Sequence, residues 1–108
     1  MNLPTEIFGD VIVAHTPEEL GEDQADQFEG FITSLERSNV IVDLDGTESI
    51  DSAGLKALLS AQEILRDLQG DVKISTTNTT NRKILEITRL DQQLEVFDSV
   101  IDAVKSFL

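Results

Sequence analysis

The run Val40-Ile41-Val42-Asp43-Leu44 constrains the fold more than any other stretch of this 108-residue chain. Apolar, mostly β-branched residues in near-unbroken succession do not alternate with polar ones, so both faces of the strand they form must be covered. A strand buried on both sides belongs to a mainly parallel sheet with helices packed on it. The neighbouring segments fit that demand. Upstream, Ala25, Phe28, Ile32 and Leu35 recur at spacings of three and four, which predicts a helix burying one face and turning Asp26, Glu29 and Glu36 to water. Downstream, Leu55, Leu58, Leu59, Ile64, Leu65 and Leu68 predict a second helix, closed by Gly70 as a left-handed cap.

The rest of the chain extends the pattern. Residues 3–8 and 11–14 read as short strands separated by Gly9-Asp10, a hairpin or tight corner. Residues 16–23 read as a polar loop, with Asp23 or a neighbour capping the first helix. Residues 72–75 and 94–97 are further strands, and residues 80–87 and 99–107 further helices. Strands alternating with helices predict a single α/β domain over residues 1–108, its parallel strands joined by right-handed crossovers. A chain of this size holds one core.

Composition narrows the chemistry. There is no cysteine and one histidine, so disulfides, Cys/His zinc sites and cysteine nucleophiles are excluded, and a carboxylate metal site stays open. With 21 acidic residues against 8 basic ones the formal net charge is −13. Such a field repels nucleic-acid phosphates and anionic lipid heads, and is open to two readings, steering toward a basic protein surface or simply an acidic surface that keeps the domain soluble. No apolar run is long enough to span a bilayer, and the first residues carry no basic start of a signal peptide, so a cytoplasmic domain is expected.

The segment with the most chemistry is Ile50-Asp51-Ser52-Ala53-Gly54-Leu55, between the buried strand and the second helix. Local chemistry alone makes Asp51-Ser52 a helix cap, because a side-chain oxygen there satisfies one of the free N–H groups of the first turn. The wider pattern adds to this. A strand, an Asp-Ser-Ala-Gly-Leu turn and a helix over residues 40–59 resemble the STAS family, whose members include anti-sigma factor antagonists. Pro17-Glu18-Glu19-Leu20-Gly21 stands where that family has a Gly-Glu-Leu-Asp loop, and Ile84-Leu85-Glu86-Ile87-Thr88-Arg89-Leu90 where it has a helix ending in a Gly-Leu corner. Gly21 and Arg89 depart from the usual Asp and Gly, so contacts made by those positions do not carry over. The resemblance implies a STAS fold: a mixed sheet of four to five strands with an antiparallel N-terminal pair, packed mainly on one face by about four helices.

It also implies a function. In antagonists of this family the serine after the Asp is phosphorylated by the anti-sigma factor, itself a kinase, and that position here is Ser52; unphosphorylated, the domain would bind that kinase and so release a sigma factor. The implied contact surface comprises Glu19, Leu20, Gly21 and Asp23 of the loop with Asp51, Ser52, Ala53, Gly54, Leu55, Lys56 and Leu59 of the helix start. The partners would be an anti-sigma serine kinase, which uses ATP and magnesium, and a serine phosphatase that resets Ser52. The domain itself would need no cofactor and would not be an enzyme. STAS domains also serve membrane transport systems, contacting an ATPase or transporter without phosphorylation.

A rival motif lies just upstream. Val40-Ile41-Val42-Asp43-Leu44-Asp45-Gly46-Thr47 resembles the opening of haloacid-dehalogenase-like phosphatases, in which Asp43 would be nucleophile and Asp45 acid/base, both helping to hold magnesium. Only about 60 residues follow it, no later acidic pair has a clear place, and it leaves residues 51–55 unexplained, so strand-end and turn capping is the preferred role for both. His15 reads as a surface histidine near a strand end, and residues 76–81 as a polar loop that could share the sheet edge with Ser52.

Overall fold

In the computed structural model, which describes Met1–Leu108, the chain opens with β1 (Thr5–Phe8) and β2 (Val11–His15), an antiparallel hairpin turned at Gly9, whose φ of 61° favours glycine. A two-residue strand β3 (Glu19–Leu20) leads into α1 (Glu22–Thr33), followed by β4 (Asn39–Asp43) and a second two-residue strand, β5 (Ser49–Ile50). Next come α2 (Ser52–Asp67), β6 (Asp71–Ser75), α3 (Thr79–Ile87), a 3-10 turn at Leu90–Gln92, β7 (Val96–Phe97) and α4 (Val100–Lys105). The main sheet has five strands in the order β1-β2-β4-β6-β7, parallel except for β1. The mixed sheet and four helices are those expected from the sequence.

The Val40 run behaves as its composition demands. Val40 and Val42 join Ile12, Ala14, Val72 and Ile74 on one face, under Phe28 and Ile32 of α1, Leu58 and Leu65 of α2 and Leu85 of α3. Ile41 points the other way, with Val11, Val13 and Ala103 of α4. Three helices therefore cover one face and one short helix the other. That second face also holds Lys73, whose side chain is only 9% exposed. Its ammonium donates to the Ser106 carbonyl (3.2 Å) and hydroxyl (2.9 Å), pairs with Glu95 (3.4 Å) and lies 4.1 Å from the centre of the Phe107 ring.

Two local expectations are corrected. The left-handed residue after α2 is Gln69 (φ 67°), and Gly70 is needed for another reason: a Cβ there would collide with the Ser38 carbonyl. Residues 16–23 are not wholly a loop. β3 pairs in parallel with β5, Glu19 beside Ser49 and Leu20 beside Ile50, forming a separate two-stranded ribbon.

Candidate functional site

The ribbon delivers the chain to the start of α2. The N–H groups of Glu48 and Ser49 donate to the Glu18 carbonyl at 2.8 and 3.2 Å, and that of Asp51 reaches the Leu20 carbonyl at 3.4 Å. α2 then begins flush against β3. A Cβ on Gly54 would be driven into the Leu20 carbonyl, so only glycine lets the third residue of the helix approach that backbone.

Asp51 is the N-cap, in extended conformation, and its Oδ1 accepts the Gly54 N–H at 3.0 Å. Its Oδ2 accepts a second bond, also 3.0 Å, from the Glu22 N–H, the first residue of α1. The N-cap of α1 is Gly21, which has no side chain to offer; the Gln24 amide oxygen accepts the Gly21 N–H at 3.0 Å but leaves Glu22 to Asp51. One carboxylate thus caps two helices. The N–H of Gly54 first, and that of Glu22 next, hold the Asp51 carboxyl below the usual aspartate value.

Ser52 is the first residue of α2 and is exposed. Glu19, Glu22, Asp23 and Glu48, on the segments bonded to this helix start, are exposed like Asp51, and Lys56 lies one turn further along the helix. From Ala53 a shallow groove of about 220 Å³ runs between α2 and α1, lined by Asp26, Glu29, Lys56 and Ser60 among others. The expected contact residues divide by burial. Glu19, Asp23, Asp51, Ser52 and Lys56 are exposed and Gly21 and Ala53 partly so, while Leu55 and Leu59 are half-buried against the core. Leu20 is fully buried and Gly54 closed off, so these two shape the surface from beneath without presenting side chains to a partner.

The acidic pair upstream is otherwise engaged. Asp43 accepts the Asp45 N–H (3.0 Å) on one oxygen and faces His15 Nδ1 (2.8 Å) with the other. Asp45 accepts the Thr76 hydroxyl (3.1 Å) and the N–H and hydroxyl of Thr77 (2.6 and 3.0 Å). These are the strand-end and turn bonds expected of capping carboxylates, and no group of three or more His, Cys, Asp or Glu is placed to hold a metal ion. His15 is less free than a surface histidine: its Nε2 also meets Glu6 at 2.6 Å. Partial burial would lower the His15 pKa, but the bonds to Glu6 and Asp43, and their charges, outweigh this and raise it.

The polar loop after β6 is joined to the segment leading to Ser52. The buried Asn81 amide donates to the carbonyls of Leu44 (3.2 Å) and Thr47 (2.9 Å), and the Thr47 hydroxyl bonds Thr16 and the Pro17 carbonyl. The shared cap and this Asn81 clamp were not anticipated from the sequence. The signal for the first was a helix start, Gly21, without a capping side chain.

Solved structures share the architecture. A protein from Thermotoga maritima, described as a candidate anti-sigma factor antagonist, aligns with a TM-score of 0.85 at 21% identity over 96% of this chain and 92% of that one. A sulfate transporter family protein from Wolinella succinogenes gives 0.80 at 19% identity over 94% and 87%. The Bacillus cell fate determinant SpoIIAA in its phosphorylated form gives 0.71 at 16% identity over 99% and 100%. At such identities these likenesses concern the fold. The family model of the STAS domain matches residues 2–103, nearly the whole length, and the chain belongs to the STAS domain family.

Proposed function

We propose that this domain is an anti-sigma factor antagonist, a binding module that engages an anti-sigma serine kinase when Ser52 is unmodified and is released when Ser52 is phosphorylated. The observation that carries the reading is the exposed Ser52 at the first position of α2, directly after a capping Asp that also holds the start of α1. Likeness to a candidate antagonist and to SpoIIAA, an anti-sigma factor antagonist that has been solved in a phosphorylated form, supports it. Ser52 Oγ would attack the γ-phosphorus of ATP held by the partner, ADP would leave, and a base of the partner would take the hydroxyl proton. A serine phosphatase would hydrolyse the ester and restore the binding form.

The product suits its place. A phosphate adds about −1.5 to −2 charge, and at a helix N-terminus it meets free N–H groups and the positive end of the helix dipole, so the domain stays folded. The cost falls on the complex, where a surface fitted to a hydroxyl must accept an anion beside Asp51. With purified kinase, Ser52→Ala should bind like the parent and Ser52→Asp at least about tenfold more weakly by calorimetry, a difference of about 1.4 kcal/mol. Equal binding by all three proteins overturns the switch.

A second reading has one observation in its favour, the likeness to the Wolinella sulfate transporter family protein. There the same exposed face would contact a transport component, and binding would be indifferent to Ser52→Asp.

A further inference from the structure

We propose that Asp51 couples the two helix starts, so that a phosphate on Ser52 also releases the N-terminus of α1 and the loop preceding it. This rests on Ser52 being the modified residue, and it concerns what modification does within the domain.

The geometry leaves few alternatives for the group that must respond. The N–H groups at the start of α2 without a backbone acceptor are those of Ser52, Ala53 and Gly54, because Leu55 N already donates to the Asp51 carbonyl. Asp51 Oδ1 holds the Gly54 N–H. A phosphate on Ser52 reaches for the same donors and carries up to two negative charges beside a carboxylate already held as an anion. Two anions competing for one set of donors do not share it. The phosphate has three oxygens and more charge, so the carboxylate is the group displaced.

Displacement would be a local matter if Asp51 capped only α2. Its other oxygen, however, is the side-chain acceptor for Glu22 N–H, 29 residues away in sequence. Gly21 supplies no replacement, and the capping side chain that α1 has, Gln24, is spent on the Gly21 N–H. Losing Asp51 therefore returns the Glu22 N–H to water and loosens the turn that carries Glu22 and Asp23, two exposed acidic residues at the start of α1. β3, one residue before Gly21, is held to β5 by a ladder of only two residue pairs. Phosphorylation then alters the partner surface twice, by a charge at Ser52 and by release of the neighbouring α1 turn.

Asp51 is in this sense a positioning residue. The test uses the full domain with phosphoserine placed at position 52 during translation, so that no kinase is needed and a failure of the kinase reading leaves the test intact. Amide exchange with water, followed residue by residue by NMR, should show Glu22 exchanging about fivefold faster or more in the phosphoserine protein, the scale of a lost helix cap. Asp51→Ala removes the shared cap outright and should by itself speed Glu22 exchange. In that background the phosphoserine should leave Glu22 exchange unchanged. Unaltered Glu22 exchange in the phosphoserine protein, or an equal further acceleration by phosphoserine with and without Asp51→Ala, overturns the coupling.

Discussion

Two helices of this domain begin almost alike, and only one begins at the proposed switch. α2 starts Asp51-Ser52-Ala53-Gly54 and α3 starts Asn78-Thr79-Thr80-Asn81, each with a capping Asp or Asn, then an exposed hydroxyl at the first helical position. Asn78 spends its oxygen locally, on Thr80 N (2.8 Å) and Asn81 N (3.1 Å). Asp51 divides its two oxygens between its own helix and α1. The third helical positions differ in the opposite sense: Gly54 must lack a side chain because the Leu20 backbone occupies its space, whereas Asn81 uses one to clamp the Leu44 and Thr47 carbonyls. A helix-start hydroxyl is thus ordinary, and what sets Ser52 apart is a carboxylate shared between two helix starts.

The largest effect that would sharpen this contrast is at the third positions. Gly54→Ala forces a Cβ against backbone that has no freedom to move, and should cost about 3 kcal/mol in urea unfolding, the upper range for overpacking. Asn81→Ala leaves two buried carbonyls without that donor and should cost about 2 kcal/mol. If Gly54→Ala were neutral, the tight seat of α2 on β3 would be wrong. At the first positions stability should barely respond: Ser52→Ala and Thr79→Ala each stay within about 0.5 kcal/mol of the parent, as for other exposed substitutions.

A smaller effect separates the His15 cluster from the switch. Because Glu6 on β1 and Asp43 on β4 raise the His15 pKa in the folded state, its contribution is fully present below about pH 6.5 and is lost as pH rises through the raised value. His15 is about one-third exposed, so the contribution is under about 1 kcal/mol and is weakened by salt. His15→Ala should flatten that decline in a pH series of unfolding midpoints; an unchanged pH profile contradicts the assignment. Asp51 has the reverse sign. Its lowered pKa stabilises the fold above the ordinary aspartate value and loses that effect as pH falls through the folded value.

The comparison also shows how much was legible in the residues. Val40 to Leu44 announced a strand covered on both sides, and the spacing of Phe28 and Ile32 announced the helix above it, because burial writes a period into sequence. The β3–β5 ribbon has no such trace. Two-residue strands have no period, and their bonds are backbone to backbone between residues about 30 apart. Lys73 reads as a polar residue in a strand, yet it is buried, since Phe107 and Ser106 close over it from the far end of the chain. Gly70 was read for its conformational freedom when the demand was space beside Ser38, a distinction only the fold reveals. At the site, Asp51 and Ser52 were visible as a cap and a candidate acceptor, while the reach of Asp51 to Glu22 depended on a contact between distant segments.

Incubating the domain with an anti-sigma serine kinase and ATP, then locating the phosphate by mass spectrometry, tests the central claim most directly. One phosphate should appear, on Ser52, persisting in Thr79→Ala and vanishing in Ser52→Ala; phosphate on Thr79 or elsewhere, or incorporation that survives Ser52→Ala, would contradict it.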